Sequence, residues 1–529
     1  MYTFEEYKVK LIKKIKMKNF KKFKNSEIYF NDNFNMLIGD NESGKSSILQ
    51  AIDLIISGSR SNIENIGLES LFNTEIIKEF MSKEKNYKNL PELYVEIYLN
   101  EQENFKLNGN YNSEDTICDG LRFECLPNDD YSDEILELLS DDDTCFPFEY
   151  YSISFKTFGG DPYNGYNKYL RKIFIDNSSI NDEYATSMYI KDVYAKNVSP
   201  KQKAKHQSEY RKYKSAYVNK IFKTLNGSLE DYSFDLKTDR RSNLENDLSI
   251  KQGEIFINNM GQGKKSLIKT EFALSKSNPE NDIDTLLLEE PENHLSHINM
   301  NKLINIILQV ESKQIFIATH NNMISRRLDL RNVIMLNSSS EKSISLKSIP
   351  DDTAKFFMKS SDNNILDYIL SKKVILVEGD AEYILMESFY NRVTGNKLCE
   401  NDIHIISVGG ISFKRYLDIG RVIGIKTAVI RDNDKDYKKN CIDLYTEYID
   451  DNIKIFYDDN NRNYTFEINV YKANKDICDE LFSPRRKTLT VQEYMLKNKS
   501  EVAFQMLDKK SNKLKVPNHI REAIEWIND

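Results

Sequence analysis

An α/β fold built in successive sheet-based parts is predicted by three observations in the 529-residue sequence. A strand pattern ending at Gly39 runs into a glycine-rich turn and then into helical spacing from Ser46. An apolar run, Thr285-Leu-Leu-Leu288, ends in the paired carboxylates Glu289 and Glu290. From 373 to 470 strand and helix patterns alternate, and acids again stand at the strand ends. Alternating β and α units imply a parallel sheet whose ligands gather at the carboxyl ends of its strands.

The elements follow in order. Residues 9–38 alternate basic or polar with apolar positions (Ile28, Phe30, Phe34, Met36, Ile38), which predicts two strands. Leu93–Leu99 reads as another strand. From 105 to 160 the chain is polar and acidic with few periodic signals, so a solvated insertion or long loop is expected there. Within 203–223, Tyr210, Tyr213, Tyr217 and Ile221 share one helical face amid lysines and arginines. That helix can pack on its own domain, form a dimerisation arm or contact DNA. Ser338–Ser340 and Ser360–Asn364 mark a loop and a linker, after which strands are predicted at 374–377, 403–408, 427–430 and 453–457. The expected parts are 1–104, an insertion at 105–240, 241–360 and 361–529.

Composition bounds the function. Against 74 Lys and Arg stand 82 Asp and Glu, a net charge of −8 with a pI near 5.6, which excludes a simple basic DNA-coating protein. Nine lysines within 8–24 and eight acids within 129–143 show that the sum hides local asymmetry. No apolar run approaches the roughly 20 residues that span a bilayer. The acidic start Met1-Tyr-Thr-Phe-Glu-Glu6 is unlike a signal peptide, and the six cysteines form no C-x-x-C pair. A cytoplasmic protein with reduced thiols and no membrane partner is expected.

The sharpest motif is Gly39-Asp-Asn-Glu-Ser-Gly-Lys-Ser46, a G-x-x-x-x-G-K-S match between strand and helix. Gly39 and Gly44 let backbone N–H groups, including those near Asn41 and Ser47, close around phosphates. Lys45 meets the β and γ oxygens, and Ser46 ligates Mg²⁺ at the positive end of the helix. Glu289 and Glu290 supply what a Mg²⁺·ATP site needs, one acid to orient the metal and one to polarise the attacking water. A third strand, Gln314–Thr319, brings His320 to its tip as a γ-phosphate contact.

These residues, with Met260-Gly-Gln-Gly263 and Pro291-Glu-Asn-His-Leu295, resemble the Walker A, signature, Walker B, D-loop and switch-histidine motifs of ABC-type ATPases. The branch they resemble includes RecF, SMC and the OLD (overcoming lysogenization defect) nucleases. The resemblance implies paired heads that sandwich ATP, with Gly261 and Gly263 contacting the other head's nucleotide. The loop departs from the family in lacking the Ser-Gly-Gly-Gln wording.

In the C-terminal part, Glu378 ends the first strand and Asp432-Asn-Asp434 ends the third, where hard oxygen ligands can hold Mg²⁺ or Mn²⁺ for phosphodiester chemistry. The arrangement resembles the Toprim domain of topoisomerases, DnaG-type primases and OLD nucleases. Glu382 and Ser407-Val-Gly-Gly410 resemble OLD nucleases in particular. By that resemblance Glu467 is a further ligand and Lys499 stabilises transition-state charge, a surface lysine being the alternative. The fold expected is therefore α/β, an ABC-type ATPase head with a helical insertion followed by a doubly wound parallel-sheet Toprim domain.

The function implied is an ATP-binding, metal-dependent DNA endonuclease in which the head regulates cleavage by a metal-held water, in defence against phage. A homodimer or higher oligomer is implied, with a co-encoded helicase-like protein or a retron reverse transcriptase and its DNA as partner. Phosphate contacts are expected from Lys472, Lys475, Arg485, Arg486 and Lys487. The competing reading is a RecF- or SMC-like repair ATPase whose Toprim domain only docks.

Overall fold

The computed structural model describes residues 10–529 except 84, 141–144, 177–181, 230–231, 238–242, 275–282, 294, 310–312, 322–328, 339, 361–363, 410–412 and 484–487. Arg485, Arg486, Lys487 and Gly410 lie outside the described residues, as do parts of both serine-rich segments. Two compact units divide the chain, Met1–Asn321 with Ile334–Ser343, and Asn322–Val333 with Ile344–Asp529. No described helix is long and apolar enough to cross a membrane.

The first unit pairs an antiparallel sheet with a parallel one. In the antiparallel sheet Phe23–Tyr29, Ile12–Phe20, Leu93–Leu99 and Cys118–Pro127 are neighbours, and Tyr151–Thr157 pairs with Cys118–Pro127. The expectation of two strands before Gly39 is corrected to three, because Lys21 in the left-handed region (φ +48°) turns the chain inside the first run.

The expectation of a solvated loop at 105–160 is also corrected. Cys118–Pro127 is a strand with Leu121, Phe123 and Cys125 in the core, and its acids Asp119 and Glu124 are buried too. Arg122 reaches Glu96 on the neighbouring strand and donates to Glu124 at 2.7 Å, while Tyr111 donates to Glu124 at 2.7 Å. Mutually neutralised acids and arginine on an inner face read as solvated polarity when seen one residue at a time.

In the parallel sheet Phe34–Gly39, Gln314–Ala318, Thr285–Glu289 and Lys172–Asp176 run side by side. Register puts Glu289 opposite Ala318 on one side and Asp176 on the other, so Gly39, Glu289 and Ala318 end at the same edge. Helix Lys45–Ser57 buries Ile48, Ile52 and Ile55 in the core shared by Met17, Val95, Leu287 and Phe316. Helix Pro200–Ile221 is started by a Ser199–Gln202 capping box. It meets Leu244–Asp247 through Lys203–Glu245 (2.9 Å) and Tyr210–Asp247, and leaves Tyr213 and Tyr217 exposed.

The second unit is a four-stranded parallel sheet in the order Ile403–Ser407, Lys373–Val377, Lys426–Ile430, Ile453–Phe456. Ile375 and Val377 share a core with helices Asp380–Thr394, Lys499–Lys510 and Asn518–Asn528. On helix Ile365–Leu370, Tyr368 packs edge-on against Tyr416 and hydrogen-bonds Thr427 at 3.0 Å. The first strand is flanked by the second and third, so the strand order reverses beside Val377, where a ligand crevice is expected in such sheets.

Candidate nucleotide and metal sites

The P-loop is shaped by what it excludes. A Cβ at Gly39 would stand 2.2 Å from the Leu336 carbonyl, and Gly44 holds φ +99° with Phe23 against it, so neither position tolerates a side chain. Lys45 Nζ donates to the carbonyls of Gly39 (2.8 Å) and Asp40 (2.9 Å), at the mouth of the loop. Burial lowers its pKa, and Glu290 and Asp40 work against that shift. Asn41 and Ser46 are exposed at the loop, and Ser47 is half-buried.

The acidic strand delivers its carboxylates to the same place. Ser46 hydrogen-bonds Glu289, whose pKa burial raises, with Asp176 and Glu290 adding to the rise. Glu290 sits at φ +44°, a conformation rare outside glycine, while its N–H donates to the Ala318 carbonyl at 2.9 Å. Its Oε2 lies 2.7 Å from His320 Nδ1. Glu292 was not singled out from the sequence, yet it underpins the histidine. Its Oε1 accepts from Thr319 Oγ1 (2.5 Å) and from the His320 N–H (3.3 Å), and its Oε2 is buried with no hydrogen-bond partner among the described residues. Burial raises the Glu292 pKa, and the neighbouring Glu290 carboxylate raises it further. The run Glu-Glu-Pro-Glu was the available signal. Gly261 and Gly263 stand at the start of helix Gln262–Leu274 and make no described hydrogen bond to the P-loop.

In the second unit the acids converge at the strand ends. Glu378 follows Lys373–Val377, Glu382 is buried in the first turn of Asp380–Thr394, and Glu467 is buried in the first turn of Phe466–Ala473. Burial pushes Asp432 up to about 8, with Glu382, Glu378 and Glu467 adding to the rise. Burial likewise pushes Glu382 up to about 7, with Glu467 and Glu378 contributing. Glu467 Oε2 is buried and unpartnered, while Lys499 Nζ lies 3.1 Å from Oε1. Burial works to lower the Lys499 pKa, but Glu467, Asp432 and Glu382 outweigh it and the pKa rises. An orphaned carboxylate oxygen among mutually repelling acids fits a divalent cation.

Two residues here escaped the sequence reading. Arg431 bridges Glu378 and Asp434, the second at 3.1 Å, and its guanidinium lies over the Phe413 ring. Asn433, buried between the two aspartates, donates to the carbonyls of Asp458 (2.7 Å) and Asn460 (3.1 Å) and accepts from the Lys435 N–H (3.0 Å). It holds a turn in which Asp434 and Lys435 both take positive φ. Of the expected phosphate contacts, Lys472 hydrogen-bonds Asn463, and Lys475 opens helix Lys475–Phe482.

Comparison with known proteins gives this geometry a context. The "AAA ATPase domain" profile matches residues 11–324, and the "Overcoming lysogenization defect protein-like, TOPRIM domain" profile matches 369–434. The Old nuclease of Escherichia phage P2 is 28% identical over 182 residues, 32% of this chain and 31% of that nuclease. The chain thus matches about a third of that relative's length. An SMC head bound to a ScpA winged-helix domain aligns at 18% identity and TM-score 0.33, covering 64% of this chain and 99% of that one. The C-terminal region of the Xanthomonas campestris pv. campestris OLD protein aligns at 18% identity and TM-score 0.22, covering 30% and 95%. With a match over more than half its length the chain belongs to the AAA ATPase domain family, and behind that domain it carries a TOPRIM domain of the overcoming-lysogenization-defect-like kind.

Proposed function

We propose that the chain is an ATP-binding, divalent-metal-dependent DNA endonuclease whose ATPase part regulates phosphodiester hydrolysis in the second unit. The supporting observation is that Glu382, Glu378 and Glu467 lie near enough to Asp432 to raise its pKa, with Glu467 Oε2 buried and without a hydrogen-bond partner among the described residues, while Asp434 reaches Glu378 through Arg431. A protein gains nothing in stability from repelling buried acids, so their collection there points to a cation they hold in common.

In this reading the five acids hold Mg²⁺ or Mn²⁺, which when bound supplies Lewis-acid activation of the phosphodiester and of water. Lys499, kept cationic by the surrounding carboxylates, places a positive charge where phosphoryl oxygens gain negative charge. In the first unit Lys45 binds the nucleotide's phosphates, and Ser46 with Glu289 would hold its Mg²⁺. Glu290 orients the attacking water, and His320 reads the γ-phosphate from a position set by Glu292. Antiphage defence, a homodimer and a co-encoded partner belong to this proposal and rest on family resemblance.

Incubation with supercoiled plasmid in Mg²⁺ or Mn²⁺ tests it. Wild type is expected to nick, Glu378→Ala and Asp432→Ala to lose nicking while binding ATP, and Lys45→Ala to lose ATP binding. No nicking under any nucleotide or metal condition overturns the nuclease reading, and undiminished nicking by Glu378→Ala overturns the site.

A further inference from the structure

The first unit carries a cleft of about 710 Å³ at the carboxyl end of helix Lys45–Ser57, the end remote from the P-loop. Its walls come from the residues after Gly58, from strand Tyr151–Thr157 and from the 162–172 segment. Four cations line it, Arg60, Lys156, Lys168 and Lys172, and no acid does, in a chain where about one residue in six is acidic. Such single-sign lining is unexpected for a surface of this composition and focuses positive potential into a concavity.

The cations differ in how far they are already neutralised. Lys172 is ion-paired with Asp53, and Lys156 lies 3.4 Å from Glu124 and donates to Tyr111 Oη at 2.9 Å. Among the described residues the ion pair of Arg60 is a long, exposed contact to Glu64 at 3.8 Å. Lys168 is exposed and has no ion pair among the described residues. Beside them the Tyr166 ring is 96% exposed, a large apolar face left in water. The floor is fixed. Tyr163 is buried, donates to the Ile55 carbonyl at 2.7 Å, and packs where a Cβ on Gly58 (φ +57°) would come within 2.9 Å.

Unneutralised cations beside an unpacked aromatic are the pair of features that single-stranded nucleic acid uses, backbone phosphates for the cations and a base face for the ring. We propose that this cleft binds a nucleic-acid strand, with Arg60 and Lys168 on successive phosphates and Tyr166 stacking on a base. The choice of nucleic acid over another phosphate ligand rests on the nuclease reading above. The 13-residue helix separates cleft and P-loop by about 20 Å, so strand and ATP bind without competing.

The test is fluorescence anisotropy of the full chain with a labelled 20-nucleotide strand and its duplex, in EDTA, at 50 to 200 mM salt. Arg60→Ala/Lys168→Ala is expected to bind the single strand about tenfold more weakly and to lower the log K against log salt slope by about 1.4. Tyr166→Ala is expected to weaken the strand more than the duplex. All three residues are exposed, and an unchanged melting temperature confirms that the variants fold. Unaltered affinity and salt slope in Arg60→Ala/Lys168→Ala overturn the proposal, whether or not that variant nicks plasmid. Displacement of the strand by millimolar ATP in a Lys45→Ala background assigns the cleft to free nucleotides and also overturns it. Strand binding at the cleft without plasmid nicking by wild type sinks the nuclease reading alone.

Discussion

Arg431 occupies the position of a counter-ion. Its guanidinium bridges Glu378 and Asp434, two of the acids proposed to hold metal, and its Nε finds no hydrogen-bond partner. A fixed +1 charge there lowers the self-repulsion of the empty cluster and opposes an arriving cation. Arg431→Met is expected to lower metal-free stability by about 1–2 kcal/mol, since both acids are partly exposed and screened, and to tighten Mn²⁺ binding. Thermal melts across a Mn²⁺ titration check both signs, and a variant whose Mn²⁺ response matches wild type refutes the counter-ion role. Glu292 acts through another residue, by fixing His320. Glu292→Ala is expected to lower ATP turnover about tenfold with little change in ATP affinity, read as kcat against KM. Arg431 carried no motif, and Glu292 stood within one without a role of its own, because the importance of each lies in what it touches. The strand-end placement of Gly39–Ser46, Glu289, Glu378 and Asp432 was legible because the chemistry proposed for them fixes residue type, spacing and position.

At the scale of elements, strong hydrophobic periods were readable and buried polar faces were not. All four strands of the second unit's parallel sheet were legible because each is a largely apolar run before an acid or a turn. Cys118–Pro127 was not, because Asp119, Arg122 and Glu124 interrupt its pattern, although Asp119 and Glu124 are buried. The strand is held by a network in which Arg122 serves two neighbours, Glu96 being fully buried and Glu124 nearly so. Removing the guanidinium leaves the fully buried Glu96 without that cation and leaves Glu124 with Lys156 at 3.4 Å. Arg122→Ala is therefore expected to cost about 3–5 kcal/mol. Arg122→Met/Glu96→Gln should recover part of that loss, because it removes a charge as well as restoring volume. Urea unfolding of the three proteins checks the order, and a double variant less stable than Arg122→Ala contradicts it.

For the whole molecule, the net charge of −8 is a balance of separate populations with opposite responses to pH. Asp432 and Glu382 have folded pKa values raised by burial and by neighbouring carboxylates, so their contribution is present below about pH 4 and is lost as pH rises from there to about 8 and about 7 respectively. Divalent metal should cancel that loss. His519 responds in the opposite sense. It is buried in the first turn of the last helix, where desolvation lowers its pKa to about 4 against an ordinary 6.5, and Asp458 offsets this only in part. The unfolded chain takes up the proton first as pH falls, so the stability tied to neutral His519 is fully present above pH 6.5 and drains away between 6.5 and 4. Between pH 7.5 and pH 5.0 this amounts to about 2 kcal/mol. The site acids mask it in wild type alone, but they are common to wild type and His519→Gln and cancel in the difference between the two. His519→Gln should therefore lose about 2 kcal/mol less than wild type on going from pH 7.5 to 5.0, whatever its stability at neutral pH. Parallel urea titrations at the two pH values measure that difference, and equal losses in the two proteins would show that His519 is protonated within the folded state.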